Sequence, residues 1–244
     1  MKIIRKIITL ILLVVLGYST FELYKIYKTN HDEHEALKEI NEITTPKDSH
    51  KDITGEDILK MKEINSDVVG YLKFDTELIA EPIVQTTDNS YYLYYDINHN
   101  YNDFGTVFMD YRNTLEDTNM IMYGHAGIYA GTQKFSNLNT LLGNDDEYKK
   151  NSYFNFYTQD EVRRYQISYI IKNNNSEIFN HQIRNFDTED EFNKWISFAK
   201  ENNSITGLNE IKYGDKFITL QTCIHGGGDD KVIVIAKEIS RKKY

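Results

Sequence analysis

The segment Lys216–Gly228 reads KFITLQTCIHGGG and contains Cys223, the only cysteine among 244 residues. Its first half is apolar and rich in β-branched residues, which predicts a buried strand over Lys216–Thr222. The three glycines that follow cannot extend a strand cheaply, so they predict a loop. The thiol is therefore expected at a strand end, beside a backbone that leaves room for a substrate. A buried structural cysteine is the alternative interpretation.

Outward from this segment, short β-patterned runs alternate with turn residues, and helical periodicity is confined to a few stretches. The clearest helix is Asp187–Asn202, which carries an apolar stripe at i, i+3, i+4 and i+7. Another is predicted over Gly55–Ile64, with Thr54 as its N-cap. Together these patterns predict a mostly β fold with inserted helices: a closed, mixed β-barrel of about eight strands, with N-terminal helices and one long helix before the penultimate strand. The predicted strands are Val68–Phe74, Leu78–Gln85, Gly105–Met109, Asn119–Tyr123, Tyr153–Tyr157, Val162–Ile171, Lys216–Thr222 and Lys231–Ile239.

The N-terminal 28 residues have a different composition from the rest. Basic residues precede the apolar run Ile7–Leu16, and the mixed segment up to Tyr24 makes an 18-residue stretch that is almost long enough to span a bilayer. Basic residues before the stretch predict a cytoplasmic N-terminus with the remainder outside the cell. Residues 1–28 are thus a predicted membrane anchor, 29–53 a stalk or linker with a short helix, and 54–244 the folded domain that contains Cys223. A signal peptide cleaved after Ser19 is the alternative.

The net charge and the single cysteine restrict the classes of function that the sequence allows. The formal net charge of −9 and the lack of a basic stripe argue against a nucleic-acid partner. Exported proteins usually carry paired cysteines, and a solitary one cannot pair within its own chain. Cys223 is therefore expected to be a reactive thiol.

Two histidines are candidates for a base next to this thiol. His125 follows the predicted strand Asn119–Tyr123 between small residues, 98 positions before Cys223. A histidine and a cysteine at two strand ends form the arrangement of a cysteine nucleophile with its acid/base. His225, two residues after Cys223, is a rival. The other histidines, including His181, are interpreted as solvated.

Lys231 opens the last predicted strand, and the glycine loop can bring it back over the thiol as a donor to an oxyanion. An ordinary surface lysine at a strand end is the alternative. Cys223, His125 and His225 are too few ligands for a closed zinc site, and the glycines lack the Lys-Ser/Thr of a phosphate loop. No metal and no cofactor are therefore predicted.

The motif Thr219-Leu220-Gln221-Thr222-Cys223 resembles the T-L-x-T-C signature of sortases, the membrane-anchored transpeptidases of Gram-positive bacteria. Other segments resemble class B in particular, and the likeness continues in register from about Thr54 to Ile239. These segments are Ile64–Leu72, Asn89–Leu93, Phe108–Asn113, Met122–His125 and the helix Asp187–Asn202.

This resemblance implies a reaction. Cys223 would attack the Thr carbonyl of an Asn-Pro-x-Thr-Asn-like sorting signal on a surface-protein precursor, and His125 would serve as acid and base. The acceptor would be an amine of a peptidoglycan precursor such as a lipid II-like molecule. Lys231 stands where the family has Arg and lacks its planar fork.

Gln221 stands where many class B members have Ser. It is expected to contact the substrate, together with Thr222 and His225. Two alternatives stay open: a thiol endopeptidase whose acyl-enzyme is resolved by water, and a weakened homologue that only binds peptides.

Overall fold

The computed structural model describes residues 2–45, 52–125, 134–173, 179–206, 209–224 and 230–244. Within these ranges the chain forms eight strands and five α-helices. The strands are β1 (Val68–Phe74), β2 (Ala80–Val84), β3 (Phe108–Met109), β4 (Asn119–Tyr123), β5 (Tyr153–Tyr157), β6 (Glu161–Asn173), β7 (Phe217–Cys223) and β8 (Lys231–Lys243). The helices are α1 (Lys2–Ala36), α2 (Lys38–Thr44), α3 (Gly55–Ile64), α4 (Asp145–Lys150) and α5 (Glu189–Glu201). Short 3₁₀ helices cover Tyr91–Leu93 and Lys134–Leu141.

The strands close into one barrel in the order β1-β2-β3-β4-β7-β8-β6-β5. The β2–β3 and β4–β7 pairs are parallel, and the remaining pairs are antiparallel. Closure removes the free strand edges that an open sheet would expose. The predicted closed, mixed barrel of about eight strands is therefore confirmed.

The alternation of side chains along β7 and β8 divides the hydrophobic core into an interior and an outer layer. Ile218, Leu220 and Val234 belong to the cluster that fills the barrel. Phe217 and Ile233 face outward, into the cluster covered by α5. The apolar stripe of α5 supplies Phe192, Trp195, Ile196 and Ala199 to that cluster, as its periodicity predicted.

The N-terminal helices cover the opposite outer face of the barrel. Helix α3 begins at the predicted residue, because the Asp57 carboxylate accepts hydrogen bonds from both the backbone N–H and the hydroxyl of Thr54. Its Ile58 and Met61 pack with residues of β1 and β4. This packing fixes the outer face of β4, the strand that leads to His125.

Residues before α3 differ in part from the sequence-based expectation. Helix α1 continues through the predicted boundary at residue 28 and ends at Ala36. Ala36 and Ile40, in the expected stalk, are buried in the core instead of exposed. Most of the predicted linker Thr44–Lys51 lies outside the described residues.

Candidate active site

Cys223 is the last residue of β7, and Lys231 is the first residue of β8. The two are direct partners in the antiparallel β7–β8 ladder, which continues on the other side of β8 from Lys231 to Asn173 of β6. Cys223 is partly exposed and is a free thiol. Residues opposite each other in an antiparallel ladder project from the same face of the sheet. The thiol and the lysine side chain therefore share one face.

Three polar contacts hold the chain on both sides of the glycine loop. The Asn139 side-chain amide donates to the Cys223 carbonyl over 3.2 Å, and the Ile224 N–H donates to the Asp230 carbonyl over 2.8 Å. Lys172 of β6 forms an ion pair with the Asp230 carboxylate at 2.8 Å. These contacts keep the β7–β8 ladder paired up to Cys223. His225 lies outside the described residues.

His125 approaches the same end of the barrel from β4. The parallel β4–β7 register pairs Tyr123 with Gln221, and the Gly124 N–H donates to the Gln221 carbonyl over 3.1 Å. Continuing this register by two residues would bring His125 next to Cys223. The two strand ends meet because β4 and β7 run in the same direction.

Gly124 allows this approach. A Cβ at position 124 would lie only 2.7 Å from the Phe135 ring, closer than real contacts permit. The missing side chain lets the end of β4 pack against the Lys134–Leu141 helix, which also carries Asn139. The absence of a side chain at Gly124 thus brings the end of β4, which leads to His125, next to the helix whose Asn139 binds the Cys223 carbonyl.

The side chains of β7 divide between two environments. Gln221 is on the Cys223 face and is partly buried. Thr222 points the other way: it is 1% exposed, and its hydroxyl oxygen has no hydrogen-bond partner among the described residues. Of the two described residues among the three expected to contact the substrate, only Gln221 shares the face of the thiol.

Burial lowers the pKa of His125 below its usual value, and the negative charge of Asp103 opposes this shift. A base that loses solvation is disfavoured in its charged form. Asp103 comes from the segment before β3, which the sequence did not link to the site. Its negative charge favours the protonated, imidazolium form of His125.

His181 is buried, so the interpretation of this residue as solvated is wrong. It is 3% exposed, and neither ring nitrogen has a hydrogen bond of normal geometry to a described residue. Burial lowers its pKa to about 4; the neighbouring Gln221 amide offsets this only in part, and the positive charge of Lys231 adds to it. His181 therefore lies behind the site, close to two of the predicted site residues. Its ring lies beside that of Phe179, which in turn packs against Trp195 of α5, and a polar local sequence does not reveal these neighbours.

Asp110 is a second buried group near the site to which the sequence assigned no role. Its fully buried carboxylate accepts hydrogen bonds from Arg112 (Nε, 2.8 Å; Nη2, 2.7 Å), the Asn89 amide (3.0 Å) and the Tyr123 hydroxyl (2.9 Å). Burial alone would raise the pKa of Asp110, but these donors outweigh it and lower the pKa to about 2. This carboxylate ties the end of β4 to the loop after β3, and so supports the position of His125.

This topology has clear counterparts among known proteins. A family model described as "Sortase domain" matches residues 81–239, which is more than half of the chain. The chain belongs to the sortase family. Within the family it is class B-like. It is 27% identical over 197 residues to sortase B of Listeria monocytogenes, covering 77% of this chain and 76% of that protein. Over 187 residues it is 24% identical to sortase B of Staphylococcus aureus, covering 73% of each chain.

Solved sortase B structures share the fold. The Staphylococcus aureus sortase B–substrate complex superposes with a TM-score of 0.74 at 20% identity, covering 89% of this chain and 100% of that one. Clostridium perfringens sortase B gives a TM-score of 0.67 at 24% identity, with coverages of 75% and 99%. The predicted resemblance to class B sortases is confirmed.

Proposed function

We propose that this sortase cleaves an Asn-Pro-x-Thr-Asn-like sorting signal on surface-protein precursors and transfers the acyl group to an amine of a peptidoglycan precursor. Sortases are transpeptidases that act on surface proteins and cell-wall precursors. The observation that carries the proposal is the meeting of Cys223, Lys231 and the end of β4 at one rim of the barrel. Two related structures agree with it, one with a substrate and one with triglycine, a peptide that offers a free amine.

In the first half-reaction, the Cys223 thiolate attacks the carbonyl carbon of the Thr residue of the signal. The C–N bond then breaks, His125 donates a proton to the leaving amine, and a thioester remains on Sγ. The Lys231 ammonium stabilises the negative charge on the carbonyl oxygen as the tetrahedral intermediate forms. Its position opposite Cys223 in the ladder favours this role.

In the second half-reaction, the amine of the acceptor attacks the thioester carbon. His125, now neutral, takes the proton from the incoming nitrogen, and the C–S bond breaks to give the new amide and the thiolate. The depressed pKa of His125 suits this step, because a neutral imidazole is the form that accepts a proton. Gln221, Thr222 and His225 are proposed to contact the sorting signal, with Gln221 the side chain best oriented to do so.

The enzyme is proposed to be held in the cell membrane by α1, with its N-terminus in the cytoplasm and the barrel outside. By length and composition, α1 qualifies as a membrane-spanning helix, and none of its apolar window is buried against the rest of the described chain. Side chains such as Leu12 and Leu16 are each 63% exposed, so the apolar part of α1 is not packed in the core. A bilayer accounts for such a surface.

The test is to incubate the membrane-inserted full chain with Asn-Pro-x-Thr-x peptides, with and without oligoglycine, and to identify products by mass. A transpeptidase forms the oligoglycine amide, and Cys223→Ala abolishes both cleavage and transfer. Products of hydrolysis alone would favour the endopeptidase alternative. Peptide binding without turnover would favour a weakened homologue, for which Lys231 in place of Arg is the motivating observation.

A further inference from the structure

The segment Tyr94–Tyr101, here called the tyrosine hairpin, lies between the Tyr91–Leu93 helix and β3. Tyr95 and Tyr101 form an isolated antiparallel bridge. The Asp96 N–H donates to the Asn100 carbonyl, and the Asp96 carboxylate accepts from the Asn100 N–H, both over 2.9 Å. Asp96 itself is buried. The hairpin is thus held from within, and its outer side chains are presented on a fixed backbone.

Aromatic rings of the hairpin contact each other and the preceding Tyr91–Leu93 helix. The rings of Tyr91 and Tyr95 are stacked at 4.3 Å between centroids, and Tyr101 meets Tyr95 edge-on at 6.2 Å. Tyr94 and Tyr101 nevertheless expose 50% and 67% of their surfaces. Single exposed aromatics are common on proteins, but neighbouring rings on a rigid hairpin mark an interaction surface.

This surface lies where α1 leaves the body of the protein. The half-buried residues Glu22, Ile26 and Thr29 follow helical spacing, whereas the preceding apolar part of α1 is exposed. Lys25, directly after the apolar stretch that ends at Tyr24, pairs with Asp103 at 3.5 Å. Asp103 also accepts a 2.7 Å hydrogen bond from the Tyr101 hydroxyl. The hairpin is therefore level with the outer end of the proposed membrane span.

We propose that the tyrosine hairpin contacts the phospholipid surface, with Tyr94 and Tyr101 seated among the headgroups of the bilayer that α1 spans. The inference rests on the membrane anchor in the proposed function. Tyrosine suits this depth, since its ring is apolar and its hydroxyl is polar. At the same level α1 exposes Tyr24 and Tyr27, by 62% and 67%. Hairpin and helix together form two parts of one interfacial belt.

The contact would orient the active site. Asp103, which joins Lys25 and Tyr101, is close enough to His125 for its charge to act on the imidazole. The His125 end of the barrel therefore lies near the hairpin. A second attachment beside α1 would stop the barrel from swinging freely about a single helix. It would hold the site close to the lipid surface, where a lipid-linked amine acceptor diffuses.

Because Cys223 is the only cysteine, Cys223→Ala provides a background for single-cysteine labelling of the full chain. A polarity-sensitive fluorophore is attached at Asn100→Cys, an exposed hairpin position that leaves both tyrosines intact. Lys212→Cys is the matched control, exposed in a turn before β7 at the opposite end of the barrel. Leu12→Cys reports on the span itself. The labelled chains are reconstituted into phosphatidylcholine–phosphatidylglycerol vesicles that contain lipid quenchers at headgroup or mid-chain depth.

We expect the headgroup quencher to act on the label at 100 at least about twofold more strongly than on the label at 212, because interfacial aromatics lie at headgroup depth. The mid-chain quencher should act on the label at 12. Combining Tyr94→Ser with Tyr101→Ser should return the label at 100 toward the control value.

Three results would overturn the proposal. Equal quenching at 100 and 212 with a quenched label at 12 refutes the hairpin contact and leaves the anchor intact. No quenching at 12 refutes both. Unchanged quenching in the double tyrosine variant shows that the tyrosines do not make the contact. Circular dichroism of each labelled chain verifies that the variants are folded.

Discussion

Cys223 and Lys231 lie directly opposite each other at the open end of the β7–β8 ladder. They are eight positions apart in the sequence, yet the antiparallel pairing sets both side chains on one face. A lysine at a strand end therefore becomes a neighbour of the only thiol in the chain. This relationship supports the proposed role of Lys231 as an oxyanion donor, although an ammonium cannot present the two parallel donors of a guanidinium.

Lys231→Ala should slow thioester formation on a model peptide about 10²–10³-fold, the usual cost of losing one oxyanion donor. Lys231→Arg should match or exceed the parent rate, whereas Lys231→Gln separates charge from hydrogen bonding. Lys237→Ala is the matched control: Lys237 is on the same strand but pairs with Asp215 at the other end of the barrel. Parent-like activity in Lys231→Ala would mean that another group provides the donor.

His125→Ala should reduce transfer by at least about 10²–10⁴-fold, because general acid/base catalysis is lost in both half-reactions. His225→Ala should have a much smaller effect. Single-turnover acylation and subsequent amine transfer, measured separately for both variants, check this order. A larger loss for His225→Ala would reassign the acid/base to the glycine loop.

The pKa of His125, measured by NMR titration of its ring, should lie below 6.5, because burial disfavours the imidazolium. Asp103→Asn should lower it further, since it removes the negative charge that opposes burial. Asp215→Asn, at the far end of β7, should leave it unchanged. A rise in Asp103→Asn would show that the carboxylate acts on the site in some other way.

His181 should make the protein less stable in mild acid. Its pKa is about 4 in the folded state against 6.5 as the reference, so the unfolded chain binds the extra proton in this interval. The contribution of His181 to the free energy of unfolding is fully present above about pH 6.5. It falls by up to about 3 kcal/mol as the pH drops toward 4. Trp195, the only tryptophan, packs against Phe179 near this histidine and reports unfolding by fluorescence.

The matched variant is His181→Gln, which removes the titrating group. Its free energy of unfolding should vary less with pH between 4 and 6.5 than that of the parent. His125 titrates with the same sign in both proteins, so the difference between the two curves belongs to His181. Parallel curves would contradict the burial of a neutral imidazole at this position.

Much of the fold follows from local patterns. The capping residues of α3, the apolar stripe of α5 and the alternation in β4 and β7 each depend on neighbours in sequence, so their bounds were predicted within a few residues. The T-L-x-T-C motif and its companions identified the family for the same reason. Cys223 and His125 could be singled out because each stands at a strand end beside small residues.

Only the tertiary structure decided which strand ends meet and which polar groups lose water. The parallel pairing of β4 with β7 joins segments about a hundred residues apart, and no local pattern specifies such a partner. His181 has a polar sequence context but is buried in the structure, and Ile40, expected in a stalk, is buried in the core. Burial and charge depend on everything that packs around a residue. They therefore belong to the assembled barrel and not to any single stretch of its sequence.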